Sequence, residues 1–189
     1  MSVAMDEFPR RHRITVEEYY RMAEVGLLAP DARVELIDGE IIDMPPIGTR
    51  HAALVTRLHG LLVHAVRERA LVRVQFPARL DNYSEPQPDL AVVAAREDFY
   101  AARHPIPSDT LLLIEVSETT LRYEQQIKAA LYARHGIPEL WIADIKRKQL
   151  HVSRSPTPKG YRETFTVDRP ASMQLLGVTV DTSSLFTAI

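Results

Sequence analysis

Leu111-Leu112-Leu113-Ile114-Glu115-Val116 is an apolar run broken by a single acid. A short run without alternation marks a strand covered on both faces, not one lying at the surface. Asp89–Val93 has the same character and predicts a second central strand. Downstream of the first run, residues 121 to 135 keep one apolar helical face and are closed by Gly136 and Pro138. Buried strands with a helix packed on them predict an α/β or α+β fold built on a mixed central sheet.

Working outward, Thr49 to about Ala70 carries Leu54, Leu58, Leu61, Leu62 and Ala65 at spacings of three and four. That stripe predicts a long amphipathic helix lying on the sheet. Val34–Ile37, Asp38-Gly39 and Glu40–Ile42 read as a β-hairpin, since Asp-Gly between apolar runs favours a tight turn. Thr15-Val16-Glu17-Glu18 has the form of a capping box and predicts a short helix ending at Gly26. Further strands are expected at Val72–Leu80, Glu139–Asp144, Gln149–Ser153 and Tyr161–Val167, with a short strand or turn in Val178–Phe186. Residues 1–13 read as a flexible tail and residues 14–189 as one domain.

The chain has 189 residues, 46% hydrophobic and 25% charged, which suits a globular domain with a real core. It contains no cysteine, so thiol nucleophiles, thiolate metal sites and disulfides are excluded. The longest apolar run, Leu90 to Ala95, is too short to cross a membrane. The first residues lack the apolar centre of a secretory signal, so a cytoplasmic location is the expectation. The 23 basic residues include only four lysines, Lys128, Lys146, Lys148 and Lys159.

Three acids fall where strands are expected to be buried. Asp89 opens one strand behind Gln87 and Pro88; Glu115 ends another; Glu35 lies between Val34 and Leu36 in the hairpin. A carboxylate is costly to bury unless it is paired or binds a cation. Three strands each bringing one carboxylate to the sheet would suit a hard divalent cation such as Mg²⁺ or Mn²⁺. The alternative is that each acid faces water or pairs with an arginine. Lys128 lies on the sheet-facing side of its helix with Leu121, Leu131, Tyr132 and His135, within reach of Glu115 and Asp89. A cation beside carboxylates and a lysine is equipment for phosphoester hydrolysis, whether of a nucleic acid or of a small phosphate ester.

These residues also carry a likeness. ELIDGEII at Glu35–Ile42, QPDLAVV at Gln87–Val93, LLLIEVSETT at Leu111–Thr120, the helix with Lys128 and Tyr132, and GIPELWIAD at Gly136–Asp144 stand in one order. In that order they resemble the Uma-type restriction endonucleases of the PD-(D/E)XK nuclease superfamily. The resemblance implies a restriction-endonuclease-like fold and a Mg²⁺- or Mn²⁺-dependent endonuclease acting on DNA, with a homodimer to cut two strands. It maps the metal acids to Asp89 and Glu115, with Glu35 completing the shell. The lysine usual two positions after the second acid is replaced by Ser117, and the resemblance assigns its role to Lys128.

Other assignments follow. Gln87 could orient a ligand water or phosphate. His51, on the apolar stripe of the long helix, is read first as a buried, hydrogen-bonded histidine and second as a substrate contact. Arg122 is a candidate substrate contact. Glu124, Asp38 and Glu40 are expected on the surface, Glu139 and Asp144 in structural pairs, Trp141 in the core, and Ser117, Thr119 and Thr120 as caps of the next helix. A net charge of −2 provides no global field for DNA, so binding needs a local patch. Candidates are Arg10, Arg11 and Arg13; Arg67 and Arg69; Arg122; and Lys146 to Lys148. Two further readings compete with the endonuclease: a non-catalytic module binding protein or nucleic acid, and a small-substrate metallohydrolase.

Overall fold

The computed structural model describes residues 11–168 and 172–189. A six-stranded sheet runs in the order β3 (Ala70–Val74), β4 (Leu90–Ala94), β5 (Thr110–Ser117), β6 (Glu139–Asp144), β7 (Gln149–Thr157), β8 (Gly160–Val167). β5 and β6 are parallel and every other neighbouring pair is antiparallel, so the sheet is mixed. The parallel step is made by the helical segment between β5 and β6, which packs back on the sheet.

Each face of the sheet has its own core. On one face α2 (Thr49–Val66) lays Leu54, Leu58 and Leu62 against Leu90, Val92, Leu112 and Ile114. Each such leucine, fully buried, contributes roughly 1.5–3 kcal/mol. A small hairpin of β9 (Ser172–Leu175) and β10 (Val178–Asp181) closes that face. On the other face Leu131, Tyr132 and Ile137 cover Ala91, Val93, Leu113, Leu140 and Ile142. Asp89 and Glu115 share parity with Ala91, Val93 and Leu113, so both belong to this second face.

α1 (Val16–Glu24) starts at Thr15 with the expected capping box: Glu18 N donates to Thr15 Oγ1 (3.2 Å), and Thr15 N donates to Glu18 Oε2 (2.8 Å). β1 (Val34–Ile37) and β2 (Glu40–Asp43) pair around Asp38 and Gly39, both at positive φ. The hairpin stands apart from the main sheet and is fastened to the segment before β4, where Glu85 N donates to Leu36 O (2.8 Å).

Four expectations need correction. The strand predicted over Val72–Leu80 stops at Val74, because its partner β4 begins only at Leu90. Gln75 then turns away at φ +52, and Pro77 has no N–H to continue a ladder. The long helix ends at Val66, and Ala70 already belongs to β3. The helix after β5 is not one regular element. It runs as α3 (Leu121–Tyr123), a π-helical turn (Glu124–Lys128) and α4 (Ala129–Arg134), and no hydroxyl caps its start through a side chain. β9 is a strand the sequence reading did not contain. Most of the expected tail, residues 1–10, lies outside the described residues. Arg13 stacks over Tyr83 (4.2 Å to the ring centre) and donates to Asp38 O (2.8 Å).

Candidate active site

β5 delivers Glu115 at its buried end, and the π turn delivers Lys128 above it. Lys128 Nζ lies 3.2 Å from Glu115 Oε1, 3.0 Å from Glu35 Oε2 and 4.0 Å from Glu124 Oε2. Tyr132, one turn further along the helix, donates its hydroxyl to Glu115 Oε1 (2.5 Å). All of Glu35, Glu115, Glu124 and Lys128 are buried. Burial acts against the Lys128 ammonium, but Glu115, Glu124 and Glu35 outweigh it and hold its pKa well above the ordinary value. Burial likewise pushes the Glu115 carboxyl well above the usual carboxylate range, against the pull of Lys128, and raises Glu124 to about 7.

Asp89 sits where β4 begins, opposite the end of β5. Its Oδ2 accepts from Val116 N (2.8 Å) and meets His51 Nε2 (3.0 Å), and its Oδ1 accepts from Gln75 Nε2 (3.2 Å). Burial works against the Asp89 charge, yet His51 and these N–H donors lower its pKa. His51 is raised in turn, burial opposing and Asp89 prevailing. His51 comes from the first turn of α2, so the two faces of the sheet meet at Asp89.

These groups line one cleft of about 340 Å³, whose walls include Arg33, Glu35, His51, Asp89, Glu115 and Lys128. Gln87 is also in the wall, but its backbone N–H donates to Glu35 Oε2 (3.1 Å) and its side-chain nitrogen to Val34 O (3.3 Å). It fastens the Pro88-Asp89 segment to β1. Arg122 is outside the cleft, exposed and bonded to Gln126 Oε1 (3.2 Å), beside a neighbouring hollow with Thr119 and Thr120. None of the described arginines and lysines of the proposed basic patches lines the cleft; Arg10 lies outside the described residues.

Glu124 is the clearest correction. Expected on the surface, it is buried against Lys128, and its Oε2 has no hydrogen-bond partner. The signal was present: it lies four residues before Lys128, on the same helical face. Arg33, two residues before Glu35, also lines the cleft and lies just outside the strand that the sequence predicts. Gln75 had no sequence signal, since its role depends on the chain turning at φ +52. Glu139 and Asp144 form the expected structural pairs with Arg154 and Arg147, and Trp141 is fully buried.

The donor set suits a hard cation. Both protein contacts of Glu115 fall on Oε1 and both of Glu35 on Oε2, so each acid keeps one oxygen uncommitted. Among the described residues Asp89 Oδ1 accepts only from Gln75. Among the described residues no three His, Asp or Glu side chains are grouped to enclose a metal by themselves. Such a set fits Mg²⁺, which binds one or two carboxylates and completes its shell with waters and substrate phosphate.

A family profile matches residues 16–183. The chain belongs to the Uma2 family, described as "putative restriction endonuclease". For this Uma2 chain, membership supports a nuclease function. A solved structure, a "putative nuclease belonging to DUF820" from Anabaena variabilis ATCC 29413, matches 92% of this chain and 98% of its own at 19% identity and TM-score 0.69. At that identity the likeness speaks for the fold. No curated protein matches the chain. Among the described residues no helix is long and apolar enough to cross a membrane.

Proposed function

We propose that this Uma2 protein is a divalent-metal-dependent endonuclease that hydrolyses phosphodiester bonds of DNA in the cleft between β1, β4, β5 and the π turn. The observation that carries the reading is the convergence of Asp89, Glu35 and Glu115 with Lys128 in one cleft. Asp89 and Glu115 would hold Mg²⁺ or Mn²⁺, Glu115 through its uncommitted Oε2 and Asp89 through a lone pair beside its hydrogen bonds, with Glu35 next to them and waters and substrate phosphate completing the shell. When bound, the cation supplies Lewis-acid polarisation of a phosphate oxygen and a more acidic water.

The chain's own groups do the rest. Lys128, kept charged by its carboxylates, stabilises negative charge growing on the phosphate or orients the attacking water. Glu124, with a pKa near 7 and no hydrogen bond on its Oε2, takes or holds a proton at neutral pH. His51 and Gln75 keep Asp89 ionised and aimed, a positioning role that agrees with the histidine's first reading as a hydrogen-bonded group. Arg122, exposed outside the cleft, has no place in this scheme.

A two-site homodimer would serve double-strand cutting. The direct test is incubation of the wild-type protein with duplex DNA, single-stranded DNA and RNA, with Mg²⁺ or Mn²⁺ and with chelator. Metal-dependent internal cleavage of DNA supports the reading. Hydrolysis of small phosphate esters alone would favour the metallohydrolase, and binding without cleavage of any substrate would favour the non-catalytic module.

A further inference from the structure

The cleft is lined by Glu35, Asp43, Asp89, Glu115, Glu118 and Glu124, so it repels a phosphate. Its cationic wall residues are Lys128 and Arg33, with His51 held by Asp89. Lys128 is enclosed by three of the carboxylates. Among the described residues Arg33 has no carboxylate partner. It stands just before β1, two positions ahead of Glu35, and lines the same cleft, exposed where Glu35 is buried. Its position is fixed: Met44 N donates to Arg33 O (2.8 Å), and Arg33 Nη1 donates to Pro45 O (2.5 Å). One of its five N–H donors is thereby used, and the remaining donors stay available for an oxyanion.

We infer that Arg33 is the phosphate-binding residue of the cleft, contacting a backbone phosphate of the nucleic acid. This rests on the nuclease reading for the identity of the ligand but not on catalysis. Guanidinium suits the task because its planar fork can bond two phosphate oxygens at once. A side chain at the rim, tethered by a rigid Pro45-Pro46 wall, contributes to docking and not to bond breaking.

The test is binding of a labelled DNA duplex, followed by fluorescence anisotropy in Ca²⁺, a hard cation the same oxygens accept. Wild type is compared with Arg33→Ala, Arg33→Lys and, as a control of equal charge change, Arg162→Ala on exposed β8. Arg33→Ala is expected to weaken binding roughly tenfold and to lower the slope of log affinity against log salt by about 0.9, the loss of one phosphate contact. Arg33→Lys should restore the slope but only part of the affinity, and Arg162→Ala should change neither. Equal losses in Arg33→Ala and Arg162→Ala, or an unchanged slope in Arg33→Ala, overturn the inference. So does failure of the wild type to bind the duplex. If Arg33-dependent binding is present but no nucleic acid is cleaved in Mg²⁺, the nuclease reading fails and the assignment of Arg33 stands.

Discussion

Lys128 Nζ lies 3.2 Å from Glu115 Oε1, although thirteen residues and a change of element separate the two. The strand end and the π turn are held together by this buried pair, with Glu35 on its other side. Removing one partner of a buried pair leaves the other charge without compensation.

Lys128→Met should therefore destabilise the protein by about 3–5 kcal/mol at pH 7.5 in urea unfolding. The deficit should shrink toward pH 5, as Glu115 and Glu124, already raised by burial, take up protons and relieve the repulsion. A Lys128→Met protein as stable as wild type at both pH values would remove the pair from the account.

Glu124 gives a pH dependence of its own. Its folded pKa of about 7 stands above the ordinary 4.5, so the native state binds the proton more tightly than the unfolded chain. Stability linked to this group is full below pH 4.5 and is lost as pH rises toward 7. In chelator, wild type should lose up to about 3 kcal/mol relative to Glu124→Gln across that window. Parallel stability curves for the two proteins would contradict the burial of an ionisable Glu124.

Gly39 ties the hairpin carrying Glu35 to the N-terminal segment. It has φ +79, and a Cβ there would stand 2.6 Å from Arg13 Cβ and 2.9 Å from Arg13 Cα. Gly39→Ala should cost about 1–3 kcal/mol in unfolding measurements, from the left-handed backbone and the clash with main chain. A loss below about 0.5 kcal/mol, the range of ordinary surface substitutions, would mean that the Arg13 segment does not pack as described.

The fold was legible where one physical signal dominated. Leu111–Val116 and Asp89–Val93 could only be covered strands, and the stripe of α2 had one place to go. The Asp38-Gly39 turn followed from residues that accept positive φ. Boundaries were lost where pairing decides them: nothing in Val72–Leu80 itself says that its partner begins at Leu90. In the site, Asp89, Glu115, Glu35 and Lys128 stood out because charge on a buried face needs a reason. Glu124 was missed by weighing it singly, apart from the lysine four residues away. The link from Gln75 to Asp89 arises from a chain reversal that local sequence does not encode.

The central claim is that Asp89 and its neighbours form a metal-dependent phosphodiesterase centre. It is tested most directly by plasmid nicking in Mg²⁺ with wild type and Asp89→Asn, both verified as folded by their unfolding curves. The account predicts chelator-sensitive nicking by wild type and a loss of at least about a hundredfold in Asp89→Asn, the scale of removing one preorganised electrostatic group. Nicking of equal rate by folded Asp89→Asn, or nicking by wild type that persists undiminished in chelator, would contradict it.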